Sequence, residues 1–355
     1  MGYLLKEEVM NAILGAWRRD YDIFAPVCLK GKGAYAGTDV VRYQCIKDWS
    51  EIVFDKKAQF SFKEVLLPMN QTLFYFTEDL VTEENRKEKG NLVFLRSCDL
   101  HGVKRLDEIY LRNGGEDYYY KRIREQTRFI LMGCGESFDS CFCVDMGTNQ
   151  SGNYDLCVNQ RDGFLEVDNQ NPEWKELLAK YASAEESITP DAVSENQVSV
   201  TISDQISLDV MKSKQWEEYS ARCINCGRCN FVCPTCTCFT MQDIFYTDNG
   251  KVGERKRVWA SCMVDGFTDM AGNISFRQDN GSRMRFKVLH KVYDYKKRNG
   301  YHMCVGCGRC DDICPEYISF SNCVNKLEHM VEESPPHLRS AESVERKEAA
   351  EHGNE

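Results

Sequence analysis

The pattern C-x-x-C-x-x-C-x-x-x-C-P occurs twice in this chain. Cys223, Cys226, Cys229 and Cys233 precede Pro234, and Cys304, Cys307, Cys310 and Cys314 precede Pro315. Thiols at two successive three-residue steps wrap three corners of an iron–sulfur cubane, and in two-cluster ferredoxins the fourth cysteine of each run ligates the other cluster. The spacing therefore predicts two [4Fe–4S] clusters, one on Cys223, Cys226, Cys229 and Cys314 and one on Cys304, Cys307, Cys310 and Cys233. Pairs of C-x-x-C also suit tetrahedral zinc, but zinc requires neither three evenly stepped cysteines nor a fourth before proline. Gly227 and Gly308 follow the second cysteine of each run, where the backbone has to pass close to an inorganic sulfide and aim N–H groups at it. Arg228 and Arg309 add positive charge next to an anionic cluster.

Nineteen cysteines in 355 residues are an odd number, which fits a disulfide framework poorly and points to thiols in a reducing compartment. No apolar run approaches the length that spans a bilayer, and the first residues mix Lys6, Glu7 and Glu8 into an amphipathic pattern, so a cytoplasmic chain without membrane insertion is expected. A net charge of −10 disfavours nucleic acid and anionic membrane surfaces as partners.

The fold class expected is α+β, an N-terminal α/β domain followed by a helical dicluster ferredoxin-type domain. Tyr3, Leu4, Met10, Ile13, Leu14 and Trp17 suggest a first amphipathic helix. Thr72 to Phe76, Asn91 to Leu95 and Arg128 to Met132 read as strands, with a helix through Val103, Leu106, Tyr110 and Leu111 between the last two. The boundaries expected are 1–180 for the α/β domain, 181–213 for a hairpin and linker with a short alternating run at Val198 to Ile202, 214–332 for the ferredoxin domain and 333–355 for a disordered tail. Between the two cysteine runs lies a basic helical segment with Arg283, Arg285, Lys287, His290, Lys291, Lys296, Lys297 and Arg298. It reads either as a solvated face or as a surface for an acidic redox partner or a nearby anionic cofactor.

Further cysteines form two smaller constellations. Cys98 ends one predicted strand, Cys134 follows another, and Cys141-Phe142-Cys143 supplies a C-x-C pair, so these four could meet at one edge of a sheet. Together they would complete a third [4Fe–4S] cluster or a zinc site, or else pack as small apolar groups. Cys236, Cys238 and Cys262 fall one short of a full cubane shell; a water or substrate could supply the fourth position, but they are expected instead to pack around a neighbouring cluster. Cys28, Cys45, Cys157 and Cys323 have no partner at ligand spacing.

Nothing in the chain spells a dinucleotide fingerprint: Gly31, Gly33 and Gly37 have the wrong spacing, and no apolar strand is expected before them. No phosphate loop, histidine ligand cluster or nucleophile with a matched base is present, so no catalytic residue is assigned. The segments Phe24-Ala25-Pro26, Thr72 to Phe76, Cys141 to Asn149, Cys233 to Cys238, Trp259 to Met263 and His302 to Cys310 together resemble the A subunit of anaerobic sulfite reductase. A more distant similarity is to the β subunits of sulfhydrogenase-type complexes. The resemblance implies a non-catalytic electron-transfer subunit, with a flavin subunit that oxidises NADH and a sirohaem subunit that reduces sulfite as companions. The alternative it implies is the electron-transfer β subunit of a sulfhydrogenase-type hydrogenase complex.

Overall fold

The computed structural model describes residues 2–83, 88–203, 206–272 and 274–332; the expected tail at 333–355 lies outside the described residues. The strands used below are β1 (Gly2–Lys6), β2 (Tyr21–Leu29), β3 (Val40–Cys45), β4 (Asn70–Phe76), β5 (Val81–Thr82), β6 (Gly90–Leu95), β7 (Thr127–Met132), β8 (Leu156–Gln160), β9 (Phe164–Asn169), β10 (Ala182–Glu186), β11 (Phe239–Phe245) and β12 (Gly253–Trp259). The fold is mixed α and β, with a large N-terminal sheet and a cysteine-rich C-terminal part, as the sequence leads one to expect.

Eight strands form one sheet in the order β10-β1-β9-β8-β7-β6-β2-β3. Its centre, β2-β6-β7-β8, is parallel and its flanks are antiparallel. Parallel strands covered on both faces read as unbroken apolar runs, and Leu92-Val93-Phe94-Leu95 divides itself accordingly. Leu92 and Phe94 join one core with Met10, Ile13, Leu14 and Trp17, while Val93 and Leu95 join another with Leu100, Val103 and Leu106. The first helix is Met10–Trp17, not a longer element including Tyr3 and Leu4. Those two residues alternate in β1, where pairing to β9 and β10 overrides their near-helical spacing.

The segment expected as linker contributes β10 to the sheet edge, and the alternating run at Val198 to Ile202 forms no strand. Sequence alternation alone did not supply it with a partner. A second sheet, ordered β11-β12-β4-β5, pairs the β11–β12 hairpin of the cysteine-rich part with β4 of the N-terminal part. That pairing joins the two halves of the chain, and the C-terminal region is consequently not purely helical.

β6 and β7 run side by side, with Leu95 opposite Leu131. The helix Ser97–Leu111 leaves the end of β6 and the loop from Gly133 leaves the end of β7. Both deliver cysteines to the carboxyl edge of the parallel strands, where open α/β sheets collect functional groups.

Candidate iron–sulfur centre

The two ferredoxin runs fold alike. In the first, Asn225 and Gly227 have φ of +66° and +72°; in the second, Gly306 and Gly308 have +64° and +67°. Each pair precedes a helical turn, Arg228–Phe231 or Arg309–Asp312. Left-handed residues at these positions turn backbone N–H groups inward. Gly306 N–H donates to Cys304 Sγ at 3.5 Å, and Ile318 N–H donates to Cys314 Sγ at 3.3 Å. Asn225 is one of two non-glycine residues with positive φ among the described residues, and Tyr317, beside Cys314, is the other. Backbone held in this region costs energy and concentrates at functional sites.

The fourth cysteine of each run sits with the other run. Burial raises the Cys223 thiol, and Cys229, Cys226 and Cys314 are the thiols that raise it further. Around Cys304 the thiols are Cys233 and Cys307, and Cys233 also acts on Cys307 and Cys310. The structure thus brings together the two crossed sets of four named from the spacing. A cavity lined by Cys223, Cys226, Cys229 and Cys314 also reaches Cys310 and Lys287, so the two sets adjoin.

Three lysines are buried against these sulfurs: Lys63, Lys287 and Lys291, each under 5% exposed. None has a carboxylate partner among the described residues. Lys63 donates to the carbonyls of Cys236 (2.9 Å) and Asn230 (3.3 Å) and lies 4.0 Å from the Trp259 ring. Lys291 donates to Thr235 Oγ1 at 2.6 Å. Burial acts to lower the Lys287 ammonium, but Cys229 and Cys310 more than offset it and leave it raised. Burial acts the same way on Lys291, but Cys233 and Cys236 outweigh it and leave it raised, whereas at Lys63 burial prevails and lowers it; buried ammonium groups are sustained only by nearby anions. The fourfold thiol donor sets, the inward N–H groups and the lysines that lack carboxylates fit thiolate-held, anionic iron–sulfur clusters. Lys291 lies in a π-helical turn, His290–Asp294, inside the basic helix, a distortion common at functional sites. The basic segment therefore turns Arg283, Lys287 and Lys291 inward, toward the thiols or their supporting loops.

Arg309 plays a different part from the one its position suggests. Its guanidinium is buried and paired with Asp99, the residue after Cys98, so its charge is matched by a carboxylate. Lys57, which no sequence pattern singled out, donates to Ser140 Oγ at 2.6 Å and to Cys307 O at 3.1 Å, with Cys141 Sγ at 4.0 Å.

Of the N-terminal cysteines, Cys134, Cys141 and Cys143 act on one another, while Cys98 has Cys143 and Cys307 as its thiol neighbours. Asn196 donates to Cys143 Sγ at 3.7 Å. The C-x-C loop lies directly on the second run: Phe142 N–H donates to Gly306 O at 2.8 Å. A Cβ on Gly306 would come within 2.5 Å of Phe142 O, and one on Gly308 within 2.2 Å of Ser140 O. Cys157 and Cys323 are buried in apolar cores, whereas Cys45 is exposed and Cys28 is half-buried. Among the described residues no three His, Cys, Asp or Glu side chains converge tightly enough for a single metal ion. No helix is long and apolar enough to cross a membrane among the same residues.

A family model described as a 4Fe-4S dicluster domain matches residues 222–318. Over 272 residues the chain is 30% identical to the sulfhydrogenase 2 subunit beta of Pyrococcus furiosus, covering 72% of this chain and 79% of that one. No solved structure matches.

Proposed function

Because the chain belongs to the family of the sulfhydrogenase β subunits, we propose that it is the iron–sulfur electron-relay subunit of a multisubunit oxidoreductase. The observation that carries this reading is the pair of adjoining crossed four-cysteine sets, faced by buried lysines without carboxylates. Each cluster, when bound, accepts and passes single electrons without making or breaking bonds to substrate. The chain's own contribution is to hold the thiolates, exclude water and bias the potentials. Lys287 and Lys291 favour the reduced, more negative state, and the surrounding core of Met263, Met284, Val288 and Phe320 keeps the local dielectric low.

The set containing Cys226 is the outer one. Cys226 is exposed, as are Ile224 close to it and Tyr317 close to Cys314 in the chain, which favours handing electrons to a partner here. The second set and the N-terminal thiols would feed it from within the chain. The third cluster proposed for Cys98, Cys134, Cys141 and Cys143 would extend the relay, and the contact of the C-x-C loop with Gly306 and Gly308 supports its position next to the second set.

The partners proposed are a flavin subunit that oxidises NADH and a sirohaem subunit that reduces sulfite to sulfide, in a cytoplasmic complex. The resemblance of the quoted segments to anaerobic sulfite reductase A subunits supports this choice. A hydrogenase-type complex is the second reading, favoured by the similarity to a sulfhydrogenase subunit. Purifying the native complex under anaerobic conditions and assaying flavin, sirohaem and nickel separates them. Sirohaem with sulfite-dependent NADH oxidation supports the first reading; nickel with hydrogen-dependent dye reduction replaces it with the second.

A further inference from the structure

Cys236, Cys238 and Cys262 lie outside both ferredoxin runs, yet the fold brings them together. Cys238 and Cys262 share a side-chain contact, Cys236 acts on Cys238, and Cys236 touches Cys233. Cys238 leads into β11 and Cys262 follows β12, so the hairpin itself, pairing Phe239 with Trp259, closes the two against each other. Ala260 N–H donating to Cys238 O at 2.9 Å fixes this closure.

Two buried polar side chains are packed against this group. Asn230, 1% exposed, donates its Nδ2–H to Cys262 Sγ at 3.1 Å, close for a bond to sulfur. Lys63, buried from the N-terminal part, donates to Cys236 O at 2.9 Å.

The position repeats a relationship found on the other run. Gly308 is covered by Ser140 of Ser140-Cys141-Phe142, and Gly227 is covered by Ser261 of Ser261-Cys262-Met263, a Cβ there meeting Ser261 Cβ at 3.0 Å. Each ferredoxin loop thus carries a Ser-Cys loop on its outer glycine, and in each case an asparagine amide donates to a sulfur of the covering set, Asn196 to Cys143 and Asn230 to Cys262.

We infer that Cys236, Cys238 and Cys262 hold a further iron–sulfur cluster through three thiolates, beside the set that contains Cys233. Three thiolates leave one iron to a non-cysteine ligand. The inference is independent of which partner subunits the chain serves.

The test uses the full chain, purified anaerobically, with iron, sulfide and native mass measured together. Cys262→Ser and Cys238→Ser should each lose about four iron and about four sulfide per chain, the content of one cubane, with the ferredoxin-run signals retained. Folded variants with unchanged iron overturn the inference. Should these variants not fold, native mass of the Cys141→Ser/Cys143→Ser chain, in which all three inferred ligands are intact, decides the matter. Three clusters are expected there, and two contradict it.

Discussion

Arg309 donates both terminal nitrogens to Asp99, Nη1 to Oδ1 at 2.7 Å and Nη2 to Oδ2 at 2.9 Å, with both side chains buried. Arg309 follows Gly308 in the second ferredoxin run, and Asp99 lies in the first turn of the helix leaving β6. One bidentate pair therefore locks the cysteine-rich region onto the sheet, aided by Arg309 Nε donating to Ala58 O at 3.0 Å. Asp99→Ala leaves the guanidinium buried without its partner and should destabilise the chain by about 3–5 kcal/mol. Asp99→Asn, which keeps one acceptor, should cost less. Unfolding midpoints of the three proteins in denaturant check the order; equal midpoints would show that the pair does not join the halves.

Crossed ligation makes a specific forecast for Cys314. Cys314→Ala should disturb the cluster proposed for Cys223, Cys226 and Cys229, although Cys314 belongs to the other run by sequence. Electron paramagnetic resonance of the reduced variant reads this directly, because the two clusters would give separable signals. Damage confined to the cluster of Cys304, Cys307 and Cys310 would reverse the assignment.

Lys287 lies beside Cys229 and Cys310, one from each crossed set. Removing a buried positive charge near an anionic cluster disfavours the reduced form, so Lys287→Met should lower the reduction potentials. An interaction of about 1–3 kcal/mol at the effective dielectric of a protein interior corresponds to roughly 40–130 mV for one electron. A redox titration followed spectroscopically measures it. Unchanged or raised potentials would remove Lys287 from the electrostatic account.

Gly306 and Asn225 occupy equivalent left-handed positions but tolerate different changes. Gly306→Ala adds a methyl where Phe142 O already stands and imposes an L residue on φ of +64°. It should lose at least about 1–2 kcal/mol and loosen the C-x-C loop. Asn225→Gly relieves its backbone but forfeits the 2.9 Å hydrogen bond from Arg283, so its net change should stay under about 1 kcal/mol. Comparison of the two unfolding midpoints tests the difference.

The neighbourhood of the crossed cysteines was legible from their repeated spacing, and the strands β6 and β7 because both faces are apolar. Lys63 and Lys57 were not legible. Each comes from the N-terminal part and meets the cysteines only through tertiary packing, so no local pattern marks it. Lys287 and Lys291 were visible as basic residues four apart on a helix, but their spacing could not say that this face turns inward. Cys98 shows the same boundary: its strand-end position was readable, while its place beside Cys143 and Cys307 depends on how the second run docks. The β10 edge strand was missed because its partner, β1, lies at the opposite end of the N-terminal part.

The central claim is that this chain stores and passes electrons on thiolate-held clusters and carries no substrate chemistry alone. It is tested most directly on the anaerobically purified full chain by iron and sulfide analysis with dithionite reduction followed by electron paramagnetic resonance, and by turnover assays on the same sample. The account predicts brown protein with at least about eight iron and eight sulfide per chain, reducible signals, and no NADH oxidation or sulfite reduction until partner subunits are added. Colourless protein containing zinc, or turnover by the flavin-free and haem-free chain, would contradict it.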